Sequence, residues 1–202
     1  IGEVSAEIAG QSFSLRNVVG IPAPPPFTRG GIGGIISPQH LRPSTWAVLD
    51  LAGERLILLE ADEADLSAWL TARAPQLKLL RLDRAPGEET IMVHAAIEPF
   101  ERVVTMLDSG GKGTEMVARL GPGLVPGPPR VTGHGVGGSA SYGSDVPDRV
   151  LLVGDARVPV PRLILRDELD GCGILVAMDV MRGTVIAVNG DQSQPVFWMV
   201  PG

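Results

Sequence analysis

Between residues 3 and 19 apolar and polar side chains alternate, with Val4, Ala6 and Ile8 on one side and Ser5 and Glu7 on the other. A period of two predicts a half-buried strand, and Gly10-Gln11 predicts the turn into a second one. Pro22 to Pro26 interrupts the pattern with residues that cannot donate to a ladder, so this stretch and the Gly-rich residues up to Gly34 are read as loop. Apolar runs return at Ala47–Gly53 and Leu56–Leu59. From Asp62 to Arg73 the period changes. Leu66, Trp69 and Leu70 recur at helical spacing, the first turn is acidic, as suits a helix N-terminus, and Pro75 ends the segment. Strands follow at Gln76–Leu82, Thr90–Ile97 and Glu101–Leu107, separated by turns at Ala85-Pro86-Gly87 and Glu98-Pro99-Phe100. Thr114–Leu120 reads as a short helix and Gly121–Pro129 as a Pro/Gly loop. Val150–Val158 reads as a strand pair about Gly154, and Thr184–Val188 as a closing strand.

Composition agrees with this mostly-β pattern. Gly (26) and Pro (18) are abundant in 202 residues, which favours short strands and turns over helices. A chain of this length buries about 70% of its unfolded surface and needs no covalent or metal staple. Cys172 is the only cysteine, so no intrachain disulfide forms, and it leaves the compartment open. A net charge of −6 without any Lys/Arg block argues against a nucleic-acid surface. No apolar stretch reaches the roughly 18 to 20 residues of a membrane span, and no leader peptide is visible in a chain that opens on Ile1 rather than Met.

The candidate chemistry lies where the apolar run Val103–Leu107 ends in Asp108-Ser109-Gly110. The tripeptide by itself also makes an ordinary turn. Other chemistries fit less well. Ser109-Gly110-Gly111-Lys112-Gly113-Thr114 lacks the spacing of a phosphate loop, since Gly113 rather than Ser or Thr follows the lysine. His40, His94 and His134 are far apart, with no metal-ligand spacing and no Cys-x-x-Cys, so neither a metal nor a cofactor is expected. Ser109 lacks the preceding glycine of a Gly-x-Ser-x-Gly nucleophile turn. Asp50, in Leu49-Asp50-Leu51, reads as an outward strand residue.

Four segments in order carry a resemblance. They are the Asp108-Ser109-Gly110 loop, the Gly-rich hairpin Gly133–Gly143, the strand pair about Gly154, and Asp170-Gly171-Cys172-Gly173-Ile174-Leu175-Val176-Ala177-Met178-Asp179-Val180-Met181-Arg182-Gly183. Together, over roughly residues 76 to 202, they resemble the pepsin and retropepsin-like aspartic proteases, including the bacterial retropepsin-like family. Val176-Ala177 replaces the family's usual glycine, and Lys112 stands where Ser or Thr usually follows the loop. The early chain looks like a repeat of the late chain at an offset of about 140 residues: Glu3–Phe13 parallels the pair about Gly154, Gly33–Leu41 parallels the segment from Gly173, and Ala47–Leu59 parallels the closing strands.

The resemblance implies acid-protease barrel lobes with few short helices. Residues 1–60 would be the C-terminal half of lobe 1, residues 61–75 a linker helix, and residues 76–202 a complete lobe 2. It further implies peptide hydrolysis by a water activated between two aspartates. Asp108 would be one of them, its geometry set by Ser109 and Gly110, and the other is expected upstream of Ile1. Gly137, Gly138 and Tyr142 would belong to a flap over an extended peptide substrate; Tyr142 also reads simply as a hairpin aromatic packed on its neighbours. Asp179 would be structural. A homodimer pairing two copies of Asp108, or a catalytically inactive peptide-binding domain, are the alternative readings. An N-terminal fragment or a second copy would be the completing partner.

Overall fold

A computed structural model describes residues 2–8, 11–18, 44–86, 90–134 and 140–202. Gly10, Gly137, Gly138 and the Gly33–Leu41 segment lie outside the described residues. The first two strands, β1 (Gly2–Ile8) and β2 (Gln11–Val18), form an antiparallel hairpin, as their alternation predicts.

The remaining strands make two layers. A five-stranded antiparallel sheet contains, in spatial order, β4 (Arg55–Glu60), β3 (Thr45–Asp50), β13 (Val185–Asn189), β14 (Val196–Pro201) and β5 (Leu77–Leu82). The other layer runs β11 (Ala156–Arg166), β8 (Thr114–Val117), β12 (Ile174–Val176), β7 (Val103–Leu107), β6 (Ile91–Ile97), β10 (Ala140–Val153), β9 (Arg130–His134). A further β10–β11 pairing closes its first six strands into a ring. Gly154, with φ +56°, makes the tight β10–β11 turn in a conformation that suits glycine.

Strand alternation decides how the layers stack. In the five-stranded sheet Ala47, Ile186, Val188, Val196, Trp198 and Val200 point into the ring's core, among Val93, Leu107, Met116, Leu151, Leu163 and Ile174. The intervening residues Trp46, Val48, Val185, Ala187, Phe197 and Met199 face the opposite way. They meet Leu66 and Leu70 of helix α1 (Glu63–Arg73). With both faces covered, these strands read as nearly continuous apolar runs instead of alternating ones. The helix begins where Asp62 accepts a hydrogen bond from the Asp65 amide at 2.8 Å, a capping contact that satisfies one of its free N–H groups. The buried tryptophans find polar partners: the Trp46 indole donates to the Ala61 carbonyl and that of Trp198 to the Thr184 hydroxyl, each at 3.0 Å.

Two expectations are corrected. Thr114–Leu120 is not a helix: Thr114–Val117 is strand β8, followed by a 3-10 turn at Ala118–Leu120. The strand runs parallel to β11 and antiparallel to β12, so pairing on both sides outweighs any local helical preference. Asp50 does not point outward to solvent. It is buried, accepts from the Gly53 amide at 2.8 Å, and pairs with Arg55 at 2.9 Å and Arg73 at 3.5 Å. Burial opposes its ionisation, but the Gly53 amide and the two guanidinium groups together hold its carboxyl below the usual aspartate value.

Candidate active site

Asp108 stands at the end of β7, where that strand lies parallel to β12. Parallel pairing lets the end of β12 support the loop: the Asp108 amide donates to the Val176 carbonyl at 2.9 Å. The turn then folds onto its own carboxylate. The Gly110 amide donates to Asp108 Oδ1 at 2.8 Å, and the Gly111 amide to the Asp108 carbonyl at 3.2 Å. Ser109 and Gly110 are exposed at its crest, while Asp108 is partly buried. Gly111 has room for little more than hydrogen. A Cβ there would lie 3.0 Å from Ala177 Cβ, 3.2 Å from Asp108 Oδ2 and 3.3 Å from Leu175 Cδ2.

Below the loop the chain is fixed by Asp179, at the start of helix α2 (Met178–Met181). Its carboxylate accepts from the Thr114 hydroxyl at 2.8 Å and the Thr114 amide at 3.1 Å. Thr114 is fully buried, and its oxygen in turn accepts from the Ala177 amide at 3.2 Å. The Met178 amide donates to the Gly111 carbonyl at 3.1 Å. Asp179 therefore joins the segment leaving the Asp108 turn to the segment passing beneath it.

The wall beside this turn is one cross-strand row on the ring's outer face. Registration places Ile164 of β11 beside Glu115 of β8, Glu115 beside Leu175 of β12, and Leu175 beside Met106 of β7. Glu115 is the charged member of an apolar row. Burial pushes its carboxyl above the usual glutamate value; Arg166 pulls it back down, and the charge of Asp108 adds to the upward push. Arg166 Nε lies 3.3 Å from Glu115 Oε2, with both side chains largely shielded.

The sequence brought attention to Asp108 but not to Glu115 or Arg166. Reading residues 114–120 as a helix hid the alternation of Thr114, Glu115 and Met116, which would have set Glu115 opposite the core. Tyr142 lies on β10, directly across from Val131 of β9, and both are exposed, Tyr142 at 63%. Cys172 is half-buried, and burial raises its thiol pKa, which keeps it protonated at neutral pH. A separate concavity of about 500 Å³, lined by Asp50, Arg55, Arg73 and Leu77, does not include Asp108. Among the described residues, no helix is long and apolar enough to cross a membrane.

No protein-family model matches the chain, and no curated protein matches it in sequence. Among solved structures it is similar to a retropepsin-like aspartic protease from Rickettsia conorii, at 11% sequence identity and a TM-score of 0.40, over 61% of this chain and 92% of that one.

Proposed function

We propose that this chain forms the larger part of an aspartic endopeptidase, with Asp108 as one of two carboxylates that activate a water molecule. The observation that carries this reading is the Asp108 turn: a carboxylate at the end of a paired strand, oriented by the Gly110 amide, beside an apolar wall that includes Leu175. Two such carboxylates close together cannot both ionise, so the pair holds one proton between them. The ionised member takes a proton from water as it attacks the scissile carbonyl. The protonated member donates a hydrogen bond to the carbonyl oxygen, where negative charge develops. An extended peptide would bind by strand-like pairing between the Asp108 turn and the β9–β10 ribbon, against Tyr142.

The second carboxylate is assigned to residues preceding Ile1. Residues 1–60 would then be the end of a first lobe, residues 61–75 a linker and residues 76–202 the second lobe. The five-stranded sheet supports this assignment: β3–β4 and β13–β14 are similar antiparallel pairs about 140 residues apart, joined β3 to β13. A homodimer fits less well, because β3 takes the edge of β13 that a second copy would use.

The test is a peptide-library assay from pH 3 to 7, run on the 202-residue chain with and without its preceding residues. Pepstatin-sensitive cleavage only in the extended chain, abolished by Asp108→Asn with little change in thermal midpoint, is expected. Full activity in the Asp108→Asn variant would overturn the assignment. Robust cleavage by the isolated monomer would overturn the need for a second lobe. Peptide binding without cleavage in either chain would instead favour a non-catalytic peptide-binding domain.

A further inference from the structure

Strands β10 and β11 pair from Val153–Ala156 as far as Ser144–Leu165, and there the ladder stops. Beyond it β10 continues as a ribbon with β9, through Gly143–Arg130 and Tyr142–Val131. The crossing point is unusually close. A Cβ on Gly143 would lie 2.5 Å from Ile164 Cγ2, 2.9 Å from the Leu165 carbonyl oxygen and 3.2 Å from Arg166 Cδ. Arg166, the last residue of β11, then takes over from the ladder. Its Nη1 donates to the Tyr142 carbonyl at 2.7 Å and to the Thr132 hydroxyl at 3.1 Å, so it holds both strands of the ribbon. Its Nε faces Glu115 at 3.3 Å. Glu115 is registered with Leu175, and Leu175 lies against the Gly111 position of the Asp108 turn. A continuous path thus runs from the Asp108 turn through Leu175, Glu115 and Arg166 to Tyr142.

We propose that Arg166 is a positioning residue that fixes the β9–β10 ribbon relative to the Glu115–Leu175 row beside the Asp108 turn, with Glu115 as its anchor. The catalytic consequence rests on the protease reading above; the positioning itself does not. The guanidinium suits the task because its planar fork reaches several acceptors at once, whereas a lysine would offer a single flexible ammonium. Both Arg166 and Glu115 are largely shielded, so their pairing is less screened than an exposed one. The charged groups around Glu115 are Arg166 on β11 and Asp108 after β7, and the titratable but neutral Cys172 thiol stands before β12. Protonating Glu115 weakens its hold on Arg166, and with it the ribbon's register.

The test uses the fact that Tyr142 is the only tyrosine. Incorporating 3-fluorotyrosine gives one fluorine resonance, which reports on the ribbon without requiring activity. In the parent that resonance should titrate with a midpoint above the ordinary glutamate range, about 4.3. Glu115→Gln should abolish the titration, and Arg166→Met should shift and broaden the signal at every pH. Arg166→Lys should restore it only in part. Hydrogen exchange at residues 141–144 should rise at least tenfold in Arg166→Met. In the extended, active chain the same variant should lose about tenfold or more in kcat/KM, since small displacements of positioned groups carry large kinetic penalties. If Arg166→Met does not fold, as judged by circular dichroism, Glu115→Gln alone decides. An unchanged Tyr142 resonance and exchange rate in whichever variant folds would overturn the proposal. Altered resonances in a chain with no peptidase activity in any form would uphold the positioning and reject the protease reading.

Discussion

Replacing Asp179 with alanine probes how firmly the Asp108 turn is braced. In the parent the carboxylate accepts two hydrogen bonds from Thr114, at 2.8 and 3.1 Å, and a third from the Val180 amide at 3.1 Å. Asp179→Ala strands the Thr114 amide and hydroxyl in a site with no access to solvent. An orphaned buried donor costs about 1–3 kcal/mol, so two give about 2–6, and about 4 kcal/mol is the central expectation. The Val180 amide adds little, because it also donates to the Ala177 carbonyl at 3.1 Å and keeps that partner in the variant. In a protein of this size each kcal/mol moves the thermal midpoint by about 2–4 °C, so the drop should be about 8–16 °C. Asp179→Asn keeps one acceptor but turns an NH2 towards other donors, so it should fall about midway between parent and alanine. Thr114→Val removes the hydroxyl and leaves the Ala177 amide unmatched, for about 1–3 kcal/mol. The assay is urea unfolding of the two single variants and the double variant, with an unchanged slope confirming that only stability has moved. The two residues form one network, so the double variant should be about 0.5–3 kcal/mol less destabilised than the sum of the singles. An Asp179→Ala protein within about 1 kcal/mol of the parent would refute the bracing role, because even one stranded buried donor costs about that much.

Other outcomes follow from single positions. Gly154→Ala, which forces an alanine into φ +56°, should cost about 1–2 kcal/mol in chemical denaturation without altering peptide cleavage. Asp50 has a carboxyl pKa depressed in the folded state, so its stabilisation is present above the unfolded value of about 3.9 and is lost as pH falls through the lower folded value. Asp50→Asn should therefore flatten the acid limb of a stability–pH curve. Glu115 has the opposite sign. Its raised carboxyl pKa makes the folded state bind the extra proton first, so stability falls as pH rises from about 4.3 to the higher folded value. Glu115→Gln should remove that segment of the curve.

Much of the fold was legible because its signals are local. The pairing of β1 with β2 follows from alternation, and α1 follows from its acidic cap and from Leu66 and Leu70 one turn apart. The strands at 77–82, 91–97 and 103–107 fall where apolar runs are bounded by turn residues. Long-range pairing was not legible. Thr114–Val117 is four residues long, so its brief alternation does not separate strand from helix, and it is a strand because β11 and β12 flank it. Asp50 looked outward because strand alternation says which face a residue lies on but not whether that face is covered. The burial comes from arginines 5 and 23 positions later in the chain. In the site, Asp108 was visible through its tripeptide, whereas Arg166 matters only because β11 ends where the β9–β10 ribbon crosses it.

In the proposed mechanism Asp108 is half of a water-activating carboxylate pair. The most direct measurement is a crystal structure of the chain with its preceding residues, bound to a hydroxyl-bearing transition-state mimic such as pepstatin. The inhibitor's central hydroxyl should lie within about 3 Å of the Asp108 carboxylate and of a second aspartate from the preceding segment, with the inhibitor's backbone running beneath Tyr142. An inhibitor bound away from Asp108, or Asp108 facing the hydroxyl with no second carboxylate in reach, would contradict it.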